Sequence, residues 1–198
     1  MSVRWDLAAV IPAAGCSRRM GAFKPLLPFG PATVIERVIA TVRESGIEII
    51  RVVVGWGADR LIPVLERCNV PWVRTERIGD GMYASVQAGV RSLPPDAAAF
   101  FLLPGDMPLV RPATLICLMG EWDARPGGIL YPWYAAKRGH PPLIGRACIP
   151  EILAEAPPGG LRELLRRHDG DAREIEVADP GILIDLDTPA DYERLPRE

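Results

Sequence analysis

The chain has 198 residues, of which 48% are hydrophobic and 24% are charged, a globular composition that excludes an intrinsically disordered chain. At roughly 150 residues per domain, this length predicts one domain over residues 1–198. The net charge is −2, from 23 basic and 25 acidic side chains. A protein that holds a long polyanion by counterion release would be basic, so nucleic acid is not an expected partner.

Apolar runs of strand length alternate with segments of helical period along the first two thirds of the chain. The runs at 7–11, 49–54 and 97–103 barely alternate, which is typical of strands buried on both faces. Helices are predicted over 32–45, 59–68, 82–93 and 113–122. This order of elements predicts an α/β fold, with a parallel sheet covered by helices on both faces.

The last third predicts an antiparallel excursion of the same sheet, because the runs at 129–134 and 142–144 are short and are separated by Gly139 and Pro141. Two more helices are predicted over 147–156 and 161–168, and a final strand over 182–186. The whole chain then forms one mixed-sheet domain.

The four cysteines, at positions 16, 68, 117 and 148, contain no CxxC pair. A domain of this size does not need disulfides, so we expect reduced thiols in a cytoplasmic protein. The apolar run before Cys16 loosely resembles a lipoprotein cleavage site, but Pro12 interrupts it and a buried first strand explains it better. No run reaches the roughly 20 residues of a membrane helix, so no membrane contact is expected.

The loop after the first strand, PAAGCSRRMGAFK over residues 12–24, is the most informative motif. It lies at the carboxyl end of a strand, where open α/β sheets place their ligands. Three small residues would let the backbone approach a ligand: Ala13, Ala14 and Gly15. Four side chains could donate hydrogen bonds to phosphate: Ser17, Arg18, Arg19 and Lys24. The spacing is neither a Walker P-loop nor GxGxxG, so a surface loop with solvated arginines is the alternative.

Asp106 is the second candidate, in LLPGDMP over residues 102–108. It follows a buried strand and is expected at the same sheet edge as the first loop. A lone carboxylate beside bound phosphate suits Mg²⁺, which usually takes one or two carboxylates plus substrate oxygens. The alternative is an aspartate that caps a turn or the helix after Pro112.

The motif IDLDTP over residues 184–189 supplies a third candidate. On a strand, Asp185 and Asp187 would share a face and could both point into the site. Thr188 and Pro189 are suited to starting a helix. One of the two aspartates could be only the helix cap, and a metal would need only one of them.

Weaker signals come from two further motifs and from the tryptophans. Gly81 and Ser85 lie in GDGMYAS, which leads into a helix whose N-terminus could receive a ligand. His140 lies in a constrained turn, where a structural hydrogen bond is at least as plausible as a ligand contact. The tryptophans, Trp56 among them, indicate core or surface anchors rather than a stacking platform.

The motifs PAAGCSRRMGAFK, GDGMYASVQAG, LLPGDMPLV, RGHPPLI, GGLRELL and IDLDTPADY resemble, in this order, the MobA-like nucleotidyltransferases, and most of all their molybdenum cofactor cytidylyltransferase branch. The resemblance covers essentially the whole chain. It implies a Rossmann-like three-layer domain with a mostly parallel mixed sheet, of the nucleotide-diphospho-sugar transferase type. It also implies Mg²⁺-dependent transfer of CMP from CTP to the terminal phosphate of molybdopterin, with release of pyrophosphate. The implied partners are an NTP, with CTP favoured, a molybdopterin-type acceptor and a molybdoenzyme that receives the product.

The resemblance also implies roles for residues that match the family's motifs. Nucleotide contacts would come from Ala13, Ala14, Gly15, Ser17, Arg19, Lys24, Gly81, Ser85 and Asp106. Arg19, Lys24 and Asp106 would be the catalytic residues, because phosphoryl-type transfer needs charge neutralisation more than a covalent nucleophile. Asp106 and Asp187 would bind Mg²⁺, Asp187 being the better match of the two late aspartates because it directly precedes Thr-Pro. His140 and Asp185 would contact the substrate.

Other functions stay open at this point. A methylerythritol phosphate type of cytidylyltransferase shares the opening motif, but its His-Asp-Ala-Ala-Arg-Pro stretch is absent here. Sugar-phosphate nucleotidyltransferases are usually longer. A GTP-using guanylyltransferase of this family carries Leu-Ala-Gly-Gly where this chain has Pro-Ala-Ala-Gly, so the methyl group of Ala14 favours a smaller pyrimidine. A non-catalytic protein that binds the cofactor and delivers it to a molybdoenzyme is the alternative from another class.

Overall fold

A computed structural model describes residues 6–16, 20–77, 81–154 and 156–195. Within these ranges the strands are β1 (Leu7–Ala13), β2 (Pro28–Phe29), β3 (Ala32–Thr33), β4 (Ile49–Val54), β5 (Trp72–Arg74), β6 (Ala99–Leu102), β7 (Ile129–Tyr134), β8 (Lys137–Arg138), β9 (Leu143–Gly145) and β10 (Ala172–Glu176). The α-helices are α1 (Val34–Glu44), α2 (Ala58–Arg67), α3 (Gly81–Arg91), α4 (Pro112–Ala124), α5 (Ile149–Leu153), α6 (Gly160–Arg167) and α7 (Pro189–Glu193). Short 3₁₀ helices cover Lys24–Leu26, Arg146–Cys148, Asp169–Asp171 and Pro180–Leu183.

The main sheet has the strand order β10-β7-β9-β6-β1-β4-β5, with β8 paired to β7. Strand β1 lies inside the sheet, between β6 and β4, and runs parallel to both. Strand β9 is antiparallel to its neighbours β6 and β7, and it forms the predicted excursion. Strands β2 and β3 form a separate hairpin. The predicted α/β fold with a mostly parallel mixed sheet is therefore confirmed.

Two apolar cores lie on opposite faces of the sheet. Successive residues of β1 alternate between them: Ala9 and Ile11 pack with α1, α2 and α4, whereas Ala8 and Val10 pack with α3, α5 and α6. All four side chains are fully buried. A strand covered on both faces needs apolar residues at every position, which explains why its sequence does not alternate.

The predicted final strand over 182–186 is wrong. The chain there forms the 3₁₀ helix Pro180–Leu183 and then an extended segment that belongs to no strand. The buried carboxylate of Asp179 imposes this turn, because its oxygens accept hydrogen bonds from the backbone N–H of Gly181 at 3.0 Å and from Thr114 Oγ1 at 2.6 Å. Ile182 and Leu186 are fully buried, so the apolar pattern indicated burial and not sheet pairing.

Other differences are smaller. The helix predicted over 147–156 is a 3₁₀ helix followed by the five-residue α5, and the short strands β5 and β10 have no counterpart among the predictions. The four cysteines are free thiols. In the part of the chain that the structure describes, no helix is both long and apolar enough to cross a membrane.

Candidate functional site

A cavity of about 770 Å³ opens at the carboxyl ends of the central parallel strands. Its walls are built from residues 12–16 at the end of β1 and just after it, residues 104–106 after β6, Trp56 after β4, and Thr75 and Arg77 after β5. Gly81, Ser85 and the Lys24 turn close its sides. Parallel strands end at one edge, so loops that are distant in sequence meet there. The volume is in the range of small-molecule sites.

Lys24 connects the two carboxylates that the sequence singles out. Its Nζ donates a hydrogen bond to Asp106 Oδ2 at 3.1 Å and another to Asp187 Oδ1 at 2.8 Å. These side chains lie 82 and 163 positions from Lys24 along the chain. The Lys24 side chain is 12% exposed and the two carboxylates are 26% and 30% exposed, so the cluster is partly shielded from water.

Backbone hydrogen bonds hold the segments of this cluster in register. The N–H of Gly105 donates to the carbonyl of Pro12 at 3.0 Å, and the N–H of Leu186 donates to the carbonyl of Asp106 at 3.1 Å. Gly105 is needed for this approach, because an added Cβ would lie 3.1 Å from the Pro12 oxygen. The turn carrying Asp106 is therefore fixed against both the first loop and the segment that carries Asp187.

The start of α7 shows which residue is the helix cap. Thr188 Oγ1 accepts a hydrogen bond from the N–H of Asp191 at 3.3 Å, and the Asp191 carboxylate accepts one from the N–H of Thr188 at 2.8 Å. This reciprocal pair is a capping box. The cap is therefore Thr188, which leaves the carboxylates of Asp185 and Asp187 for other contacts.

The charges of the cluster favour a cation between the carboxylates. Burial opposes the ammonium charge of Lys24, but hydrogen bonds and attraction from Asp187 and Asp106 outweigh it and raise its pKa above the ordinary value. Burial and the negative charges of Asp187 and Asp106 raise the pKa of Asp185. The site therefore combines the ammonium of Lys24 with the carboxylates of Asp106 and Asp187, and Asp185 lies near enough for their charges to act on it.

The donor set decides which metal ion could bind. Within residues 6–16, 20–77, 81–154 and 156–195, no group of three or more His, Cys, Asp or Glu side chains could hold a metal. Asp106 and Asp187 nevertheless converge on a single cationic atom. Mg²⁺ is commonly held by one or two carboxylates together with substrate phosphates. The residues therefore fit a divalent ion that binds together with a phosphate ligand.

The first loop and the start of α3 form the other wall of the cavity. An added Cβ at Gly15 would meet no atom of the described residues within 4 Å, so the backbone there leaves room for a ligand. Gly81 begins α3 with a φ of +78°, and Ser85, one turn later, also lines the cavity. Helix N-termini offer backbone N–H groups to anions. The predicted contacts Ser17, Arg18 and Arg19 lie outside the described residues.

His140 lies beside the carboxylate cluster, between β8 and β9. Its backbone N–H donates to the carbonyl of Ile182 at 2.9 Å. Burial lowers the pKa of the imidazole, against the opposing influence of the Leu102 backbone and of Asp106 and Asp185. Its buried Nδ1 has no hydrogen-bond partner among the residues that the structure describes. The ring is therefore neutral near pH 7 and close to the candidate site.

Sequence reasoning missed Trp56, Thr75 and Arg77, which the structure places in the cavity wall. A signal was present for Trp56, since it follows the predicted strand at 49–54, at the ligand-binding edge of the sheet. Thr75 and Arg77 follow β5. Strand β5 has only three residues and was not predicted, so its loop could not be placed.

Comparisons with known proteins show which family the chain resembles. The family model described as the MobA-like NTP transferase domain matches residues 9–172. The molybdenum cofactor cytidylyltransferase of Escherichia coli (strain K12) is 27% identical over 183 residues, which cover 92% of each chain.

Solved structures extend the similarity to nearly the whole chain. Rv0371c from Mycobacterium tuberculosis H37Rv has a TM-score of 0.85 at 29% identity over 97% of both chains, and its complex with manganese has a TM-score of 0.77 at 28% identity, covering 95% of this chain and 96% of that one. A nucleotidyl transferase from Methanothermobacter thermautotroptrophicus has a TM-score of 0.80 at 26% identity, covering 95% of this chain and 94% of the other. The fold is thus that of nucleotidyltransferases. The chain belongs to the MobA-like NTP transferase family.

Proposed function

We propose that this nucleotidyltransferase moves CMP from CTP to the terminal phosphate of a molybdopterin-type acceptor and releases pyrophosphate. The observation that carries the proposal is the convergence of Lys24, Asp106 and Asp187 at the edge of the cavity. The similarity to the Escherichia coli molybdenum cofactor cytidylyltransferase supports the acceptor and the base. The product would pass to a molybdoenzyme.

The reaction joins an acceptor phosphate oxygen to the α-phosphorus of CTP and breaks the bond from that phosphorus to the oxygen that leaves with pyrophosphate. The acceptor phosphate is largely ionised near pH 7, since its second pKa is about 6, so no strong general base is required. Lys24 supplies a positive charge for the phosphates, and Arg19 and Ser17 of the first loop would add donors. Electrostatic stabilisation of this kind is the main contribution that a protein makes to such transfers.

Asp106 and Asp187 would hold Mg²⁺ in this proposal. A bound divalent ion acts as a Lewis acid on phosphoryl oxygens and offsets their charge. The manganese complex of Rv0371c, a structural relative, is consistent with a divalent ion in this fold.

The remaining residues would bind and orient the two substrates. Ala13, Ala14, Gly15, Gly81 and Ser85 line the cavity and would contact the nucleotide. His140 and Asp185 would contact the acceptor beside the metal carboxylates. Burial, and then the negative charges of Asp187 and Asp106, raise the pKa of Asp185, so this carboxyl lies near both of them.

The proposed preference for CTP depends on Ala14. Ala14 lies in the cavity wall, and its methyl group would leave less room for a purine than a glycine would. A difference of one methyl group is worth about 10- to 200-fold in discrimination. CTP should therefore exceed GTP in kcat/KM, and Ala14→Gly should narrow that ratio without abolishing turnover. A wild-type preference for GTP would assign the protein to the guanylyl branch.

The proposal is tested by pyrophosphate release and by mass analysis of the product, with CTP, Mg²⁺ and molybdopterin. Asp106→Asn should keep the fold and lose most turnover across a Mg²⁺ titration. Asp96→Asn is the matched control, because Asp96 is exposed and precedes the opposite end of β6. Wild-type rates in Asp106→Asn would refute the metal assignment. Nucleotide and cofactor binding by the wild type without any product would indicate a delivery protein instead.

A further inference from the structure

Trp56 has an unusual environment for a tryptophan. Its side chain is 44% exposed, and it lines the cavity. Its backbone N–H donates a hydrogen bond to the carbonyl of Ala14 at 3.1 Å, which fixes it against the first loop. A large aromatic ring is therefore held in the wall of the same cavity that Lys24 and Asp106 line.

The indole of Trp56 packs against the ring of Phe23, which is itself held in place by its neighbours. The rings of Trp56 and Phe23 meet edge to face, with centroids 5.4 Å apart and an interplanar angle of 65°. Phe23 is only 4% exposed, and the guanidinium of Arg60 lies 5.5 Å from the centre of its ring. The backbone of Gly57 packs so closely that an added Cβ would lie 3.0 Å from the Phe23 ring. Phe23 is fixed in place, and it covers at most one face of the indole.

The position of Trp56 relative to the charges indicates what its ring would contact. Lys24 and Asp106 mark the phosphate end of the cavity, on the β1 and β6 side. Trp56 follows β4, which lies on the other side of β1. A nucleotide with its phosphates at Lys24 and its sugar along the first loop would extend toward β4 and place its flat, apolar end near the indole.

We propose that Trp56 is a stacking residue for the nucleobase of the bound nucleotide. This inference rests on the proposed function and adds a base contact that the sequence motifs do not predict. Base–aromatic stacking corresponds to about 5- to 150-fold in affinity. Phe23 immediately precedes Lys24, so one short segment supports the indole and carries the ammonium for the phosphates.

Binding measurements on Trp56→Ala and Trp56→Phe test the proposal, with CTP, cytidine and inorganic tripolyphosphate as ligands. Trp56→Ala should weaken the binding of CTP and cytidine by about 5- to 150-fold and leave the affinity for tripolyphosphate unchanged. Trp56→Phe should keep most of the affinity. Trp72→Ala is the matched control, because Trp72 is similarly exposed at 38% but lies on edge strand β5, among residues that line a different surface depression.

Fluorescence gives a second readout that does not need the alanine variant to fold. Cytidine should quench tryptophan emission in Trp72→Phe and should fail to do so in Trp56→Phe. Unchanged affinity in Trp56→Ala overturns the proposal. Equal losses for cytidine and tripolyphosphate also overturn it, because they mean that the loop has collapsed. A response to a pterin alone, without one to cytidine, assigns the ring to the acceptor and overturns it as well.

The same experiment separates this inference from the proposed function. If wild-type protein does not bind CTP, the proposed function fails. If wild-type protein binds CTP and Trp56→Ala binds it equally well, only the stacking role fails.

Discussion

Replacing Lys24 by Met should increase the affinity of the nucleotide-free protein for divalent metal while it decreases turnover. Met keeps most of the length of the side chain and removes the ammonium that contacts Asp106 at 3.1 Å and Asp187 at 2.8 Å. If those carboxylates are the metal ligands, Lys24 and the metal compete for the same oxygens. If Lys24 only stabilised the fold, its replacement would instead lower both the metal affinity and the turnover.

The magnitude follows from the distances and the partial exposure of the cluster. Two unit charges 4 Å apart interact by about 1 kcal/mol in water and about 4 kcal/mol at an effective dielectric constant of 20. All three side chains are between 12% and 30% exposed, so screening by solvent places the effect at about 1–3 kcal/mol. We therefore expect the dissociation constant for Mn²⁺ to fall by about 5- to 150-fold.

Titration calorimetry with Mn²⁺ on the nucleotide-free protein measures this effect directly. Lys137→Met is the matched control, because Lys137 is the other lysine of the chain and is exposed on β8. It should leave Mn²⁺ affinity and turnover unchanged. Equal or weaker Mn²⁺ binding by a folded Lys24→Met protein would refute the shared-ligand reasoning.

Three further predictions concern packing, pH and the first loop. Gly89→Ala should lower the free energy of unfolding by about 1–3 kcal/mol, because an added Cβ would collide with Val10 and lie 2.9 Å from Val53 Cγ2. Gly120→Ala, which meets no atom within 4 Å in α4, should raise it by up to about 1 kcal/mol in the same denaturant titration. Because burial lowers the pKa of His140 in the folded protein, the unfolded chain binds a proton there more readily, so the free energy of unfolding should fall as the pH drops below 6.5. A His140 pKa above 6.5, measured by proton NMR on the folded protein, would contradict this. Gly15→Ala should leave the unfolding free energy within about 0.5 kcal/mol, since its Cβ meets no atom of the described residues within 4 Å, but should weaken CTP binding in a direct binding assay.

The strands of the sheet were predictable where they are buried on both faces, because their sequences are then apolar throughout. Residues 7–11, 49–54 and 97–103 correspond to β1, β4 and β6 because a doubly covered strand needs an unbroken apolar run. The same reasoning failed at 182–186, where buried side chains accompany a turn that Asp179 imposes through tertiary hydrogen bonds. Strand β10 was missed because its sequence, AREIE, is rich in charge and lies at the sheet edge.

The candidate site was predictable in part for a similar reason. Asp106 could be placed because it directly follows a recognisable strand. The contact between Lys24 and Asp187 could not be derived from local pattern, because it joins residues 163 positions apart. The sequence assigned both residues to the site, one to phosphate and one to metal, without predicting that they touch. The expectation that Asp185 and Asp187 share a strand face was wrong, since no strand forms there. Their closeness to Asp106 depends instead on the backbone hydrogen bond from Leu186.

A crystal structure with CTP and Mn²⁺, with an anomalous difference map that locates the manganese, tests the assigned site most directly. We expect an anomalous peak within coordination distance of carboxylate oxygens from both Asp106 and Asp187, with Lys24 moved onto the phosphates of CTP. A manganese peak held by other residues, or CTP bound while Lys24 still contacts both carboxylates, would contradict the assignment.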